Sequence, residues 1–204
     1  MPSNKKALPK VFAFLALALL ALMGGQAAMA GGEVPGNQPL SPVTEECLRD
    51  SAERFGLPVS LIALVMAVES GQVGEVSRNR NGTFDMGPMQ INSSWLPLLK
   101  GVGVGERAIT DNGCVNLAVG AWILRGHLRS AKSLEKAISD YHSLNPKLGA
   151  KYLRAAKARA RGLDLGKAIS QANGSLAVPG DGGAKAAGTD TGATKEPKRR
   201  KGQL

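Results

Sequence analysis

PVSLIALVMAVE, residues 58–69, is the stretch on which the fold turns. Pro58 suits the first turn of a helix, where its missing N–H costs nothing. From Val59 to Val68 only Ser60 is polar, so apolar groups cover nearly the whole circumference. A helix of that kind is stable only when other elements surround it. Glu69 is its single charge, and Ser70-Gly71 stops it. On the N-terminal side, Thr44 is placed to cap a helix through Cys47, Leu48, Ala52 and Phe55, stopped by Gly56. On the C-terminal side, residues 72–92 are polar and Gly-rich, with turn signals at Asn79, Asn81 and Gly82, which suits short strands or loops. Asp111 is expected to cap a long helix, Asn112 to Arg129, carrying Cys114, Leu117, Trp122 and Leu124. Further helical periodicity covers about 133–142 and 147–161. The basic residues of the last segment, Lys147, Lys151, Arg154, Lys157, Arg159 and Arg161, read as a solvated face. The expected class is α+β, mainly α, with a buried central helix and a small irregular or β lobe.

The termini differ from this domain. Lys5, Lys6 and Lys10, the apolar run Val11 to Met23 and the small-x-small site Ala28-Met29-Ala30 have the layout of a cleaved signal peptide over 1–30. The run is shorter than the ~20 residues a membrane span needs, so cleavage is favoured over an anchor. The expectation is export to the periplasm with no stable span afterwards. Residues 31–43 are Gly- and Pro-rich and read as a flexible leader, 44–170 as the domain, and 171–204, ending KEPKRRKGQL, as a disordered basic tail. The formal charge of +10 rests on 26 basic and 16 acidic residues. Of these, 17 basic and 13 acidic residues fall in 31–170, so the domain is only mildly basic. It lacks the clustered cationic face of a nucleic-acid binder and suits an anionic polymer better. Cys47 and Cys114, even in number and in an oxidising compartment, are expected to form a disulfide. Two separate buried thiols are the alternative. Only His127 and His142 could join them around a metal, and no ligand spacing is present, so neither a metal nor a cofactor is expected.

Glu69 carries the chemistry. A carboxyl at the end of an apolar helix is desolvated and faces the negative end of the helix dipole, and both disfavour its anion. A carboxylic acid still protonated near neutral pH can protonate a poor leaving oxygen, the central need of glycosidic cleavage. The plainer alternative is a solvated Glu on the last turn of an amphipathic helix.

The residues after Glu69 narrow the choice. Glu69-Ser70, then Gly87-Pro88-Met89-Gln90, then Tyr141 with His142 occur in that order. This resembles the soluble lytic transglycosylase family, over about residues 44–160. NGTFDMGPMQINSSWLP and DNGCVNLAVGAWIL are particularly like the small wall-cutting enzymes of secretion, pilus and conjugation systems, the Trb type. The resemblance implies a lysozyme-like fold and peptidoglycan glycan strands as substrate. It also implies a secretion or conjugation apparatus as partner, and Glu69 as the lone acid and base. It further implies that Met89 and Gln90 line the groove, that Ser70 supports the site and that Tyr141 hydrogen-bonds near Glu69. Pro88 and His142 depart from the usual motif, which has Leu or Ala and Asn there. TFDMGPMQIN also resembles the segment of animal-type lysozymes that holds their second carboxylate, at the position of Asp85. Hydrolysis by Glu69 and Asp85 is therefore a competing expectation, and a wall-binding scaffold is a third. Asp85 is otherwise a turn residue bonded to the local backbone. Asn92, with Asn79, Arg80 and Asn81, is a candidate for binding sugar N-acetyl or hydroxyl groups. Either Trp could stack on a sugar; Trp122 reads as core, while Trp95, near the motif and before Pro97, is left open.

Overall fold

The computed structural model describes residues 39–176. The expected signal peptide (1–30), residues 31–38 of the leader and residues 177–204 of the tail lie outside these residues. Helix α1 (Glu45–Phe55) starts where Thr44 Oγ1 accepts from the Cys47 amide at 3.1 Å and ends at Gly56 in the left-handed region. Helix α2 (Val59–Glu69) has Pro58 as its N-cap. Leu61, Ile62, Ala63, Val65, Met66 and Ala67 are all buried, as an all-round apolar helix requires.

The polar stretch after α2 folds into a small antiparallel sheet, β1 (Val76–Arg78), β2 (Phe84–Met86) and β3 (Ile91–Asn92), in the order β1-β2-β3. Its register pairs Ser77 with Asp85 and Asp85 with Asn92, placing Asp85 on the middle strand. A 3-10 turn (Ser93–Trp95) and two short helices, α3 (Leu96–Lys100) and α4 (Glu106–Asp111), lead to the long helix α5 (Gly113–Ser130). The chain continues into α6 (Leu134–His142), α7 (Pro146–Ala160) and α8 (Leu165–Asn173). Helix α2 packs against α1, α5, α7 and α8, which together enclose it. The fold is mainly helical with one small sheet, in line with a lysozyme-like domain. Cys47 on α1 and Cys114 on α5 are disulfide-bonded, with Cα atoms 5.3 Å apart.

Several expectations need correction. The cap of α5 is Asn112, whose side chain accepts from the Val115 amide; Asp111 belongs to α4. The boundary drawn at 170 falls inside α8, which buries Ala168, Ile169, Ala172 and Asn173. The end of the leader is likewise built in. Val43 is fully buried, and its amide and carbonyl bond the Asn173 side chain at 2.5 and 2.8 Å. On helix α7 and at its C-cap the basic residues Lys147, Lys151, Arg154, Lys157, Arg159 and Arg161 are exposed as expected, while Gly149, Tyr152 and Ala156 face inward. Trp122 is core as expected, and Trp95, half-buried, packs edge-on against it at 5.4 Å.

Candidate active site

Glu69 is the last residue of α2, and two backbone features set its surroundings. Ser70 takes a left-handed φ of 59°, which turns the chain sharply out of the helix. Its hydroxyl donates to the Ala67 carbonyl at 3.0 Å, within the last turn of the helix. Gly71 then passes so close to the motif turn that a Cβ there would collide with the Gly87 carbonyl and the Gln90 amide. The turn itself is strained: Gln90, although not glycine, has φ 47°. Its side chain donates to Gly87 O at 3.0 Å and stays partly exposed beside the end of α2.

The turn is held from behind by Asn116, a fully buried residue of α5. Its Oδ1 accepts from the Met89 amide at 2.7 Å, and its Nδ2 donates to the carbonyls of Met86 and Ile109 at 2.9 and 3.0 Å. A Cβ on Gly87 would strike this side chain, so glycine is required there on two counts, φ 64° and contact. Tyr141, from α6, holds the turn from the other side by donating to Met89 O at 2.9 Å. Met89 does not line the groove. Its side chain is completely buried against α5 because all its backbone anchors pull it inward, and only its carbonyl takes part in the site.

Burial pushes the Glu69 carboxyl up to about 7. The Tyr152 hydroxyl pulls the other way, and the Asp85 carboxylate adds a smaller upward push. The residue keeps part of its surface open although the carboxyl is largely enclosed. Burial raises both tyrosines, Tyr141 and Tyr152, well above the ordinary phenol range, with Glu69 the next cause for each, so both stay donors. The Tyr152 hydroxyl is sealed from water and directed at the Glu69 carboxyl, its hydrogen-bond partner, although the contact is poorly aligned. That donor strengthens its contact when Glu69 gives up a proton and becomes an anion.

Asp85 faces the same space from β2. Its two oxygens accept from Asn79 Nδ2 at 2.8 Å and Asn92 Nδ2 at 2.7 Å. Asn92 also donates to Thr83 Oγ1 at 3.0 Å and caps the 3-10 turn, so both ends of its amide are bonded within the protein. Asn79 Nδ2 likewise donates to Thr83 Oγ1 and Asp85, and Arg80 and Asn81 belong to the exposed β1–β2 turn. His142, at the end of α6, stacks on the Tyr152 ring with centroids 4.6 Å apart and planes 5° from parallel. Glu69, Tyr141, Tyr152, Asp85 and His142 thus form one electrostatically coupled group. A separate hollow of about 210 Å³ between α2, α7 and α8, bordered by Ala67, Arg159, Asp164 and Lys167, contains none of them. Among the described residues no cluster of three or more His, Cys, Asp or Glu side chains could hold a metal ion.

Sequence reasoning missed two residues of this arrangement. Tyr152 is masked by the basic residues around it, although its spacing from Gly149 and Ala156 marks an inward face. Asn116 stands out only as the single amide within the apolar run VNLAVGAWIL.

Comparison with known proteins agrees with this geometry. Residues 46–163 match the model of the transglycosylase SLT domain. Invasion protein IagB of Salmonella typhimurium is 29% identical over 99 residues, which cover 48% of this chain and 62% of that protein. A peptidoglycan-binding-like protein of Escherichia coli O157:H7 is 29% identical over 51% of this chain and 67% of its own length. Protein IpgF of Shigella flexneri is 27% identical over 48% and 65%. The chain thus spans about two thirds of the length of the curated relatives it matches. With the family model covering more than half of the chain and Glu69 seated at the end of the enclosed helix, the protein belongs to the transglycosylase SLT domain family.

Proposed function

We propose that this protein cleaves the β-1,4 bond between N-acetylmuramic acid and N-acetylglucosamine in peptidoglycan, leaving a 1,6-anhydro end. The observation that carries the reading is the enclosed Glu69 carboxyl, poised at about 7. A group with that pKa is close to equally able to give and to take a proton near neutral pH. As acid, Glu69 passes its proton to the bridging oxygen while the bond from muramic C1 breaks. The carboxylate so formed is poorly hydrated, hence basic, and the Tyr152 donor beside it steadies it. It then takes the proton of the muramic C6 hydroxyl, whose oxygen bonds to C1. One C–O bond is lost and one gained, the proton returns to Glu69, and no water is consumed.

A second reading draws on Asp85. Its carboxylate is fixed by Asn79 and Asn92 in the space Glu69 faces. A second carboxylate allows lysozyme-type hydrolysis through a stabilised or covalently trapped C1. Mass analysis of digested peptidoglycan separates the two. Transglycosylation gives products lighter by one water than the hydrolytic ones; reducing ends would replace this proposal with the second. Glu69→Gln is expected to abolish both. If the wild type leaves peptidoglycan intact, a scaffold that only binds the wall becomes the better account.

The setting belongs to the same proposal: export to the periplasm and local wall opening for a conjugation or type IV secretion apparatus. It is supported by the layout of residues 1–30 and by similarity to proteins named for invasion and for peptidoglycan binding.

A further inference from the structure

We infer that His142 is a positioning residue for the acid: its imidazole, stacked on the Tyr152 ring, holds the Tyr152 hydroxyl at the Glu69 carboxyl. The inference rests on the proposed role of Glu69 as acid. A buried hydroxyl is usually fixed by a hydrogen bond of its own. That of Tyr152 makes only a poorly aligned contact, with the Glu69 carboxyl, so the packing of its ring has to hold it in place. The outer face of that ring is covered by His142, at 4.6 Å and 5° from parallel. A stack of this kind is worth about a three- to tenfold bias towards the held orientation. His142 lies on the last turn of α6 and Tyr152 in the middle of α7, so the stack also fixes one helix against the other.

The charged groups around the imidazole are few. Asp85 faces it from the sheet and Lys151 from α7, while Glu69, Tyr141 and Tyr152 complete the same cluster. Burial is the largest influence on His142 and lowers its pKa, the pull of Asp85 notwithstanding, so the ring is neutral at neutral pH. It therefore orders Tyr152 without placing a cation next to the acid. Asn, usual at this place in the related motif, has no ring to stack.

The test is a titration of Glu69 that needs no turnover. Carboxyl ¹³C resonances of the full chain are followed against pH, with Glu69 assigned by its absence in Glu69→Gln. In His142→Ala the Glu69 midpoint is expected to move upward, because the Tyr152 donor that lowers it is no longer held. In His142→Phe, which restores the stack, it is expected at the wild-type position. In a Tyr152→Phe background, His142→Ala is expected to add nothing. On sacculi, His142→Ala should lose about three- to tenfold in kcat with KM within about twofold. Should the alanine variant fail to fold, His142→Asn removes the ring while keeping a polar group at this exposed position. An unmoved midpoint, a downward one, or equal midpoints for the Ala and Phe variants overturns the inference. A downward shift would mean that His142 excludes water. Absence of cleavage by the wild type would sink the transglycosylase reading alone, since the titration decides this one separately.

Discussion

Glu69→Gln keeps the size of the side chain at the end of α2 and removes its ionisation. Burial holds the folded carboxyl at about 7 against an ordinary value of 4.5. At about 1.4 kcal/mol per pH unit, the ionised group weakens the fold by about 3 kcal/mol. The pH window is set by the sign of the shift. Below 4.5 the carboxyl is protonated in the folded and unfolded chain alike, and no penalty exists. Between 4.5 and 7 the unfolded chain has released the proton while the folded chain keeps it, so stability falls as pH rises. Above 7 the penalty is complete. The advantage of the Gln variant is therefore absent near about pH 4 and full by about pH 8.5. For a domain of this size, about 1 kcal/mol moves Tm by roughly 3 °C. The Tm difference between variant and wild type should thus widen by roughly 9 °C between those two conditions. Thermal melts followed by far-UV circular dichroism at both pH values measure it. Packing changes are the same at both pH values and cancel in the double difference. A Tm gap that does not change with pH refutes a raised Glu69 pKa and removes the physical basis for its role as acid.

Asp85→Asn should move the alkaline limb of kcat/KM to lower pH, because the Asp85 carboxylate raises Glu69; rates on sacculi from about pH 5 to 9 check this. Asn116→Leu should cost about 3 kcal/mol or more in urea denaturation, because it strips partners from the Met89 amide and the Met86 and Ile109 carbonyls in the interior. Reduction of Cys47–Cys114 releases a span of 67 residues and should cost about 4 kcal/mol, read as a lower Tm in dithiothreitol.

The central helix is legible in the sequence because only burial rationalises an apolar circumference, and Glu69 is legible because it is the exception on that helix. Thr44, Gly56 and the disulfide are legible from local rules of capping and cysteine pairing. The short helices α3 and α4 are not, since few residues separate their breakers, Pro97, Gly101, Gly103 and Gly105, and no period can emerge. A boundary at 170 cuts α8 short because its ending, SQAN, looks like tail by composition, whereas Asn173 is held by a partner 130 residues away. The same non-locality hides much of the site. Met89 falls in the groove motif, yet long-range bonds to Asn116 and Tyr141 turn its side chain into the core. Tyr152 meets Glu69 only once α7 has docked on α2.

The clasp between Val43 and Asn173 brings the entry and exit of the folded body to one point. Such a body resembles a bead on a loop of thread more than a link in a chain. Grafted into a surface turn of another protein, it would ask its host to open by little more than the width of two strands. Tension applied through both flanking segments would meet the bonds of Ser41 to Asp111 and Gly113 and the Val43–Asn173 clasp before it reached the helix that carries Glu69.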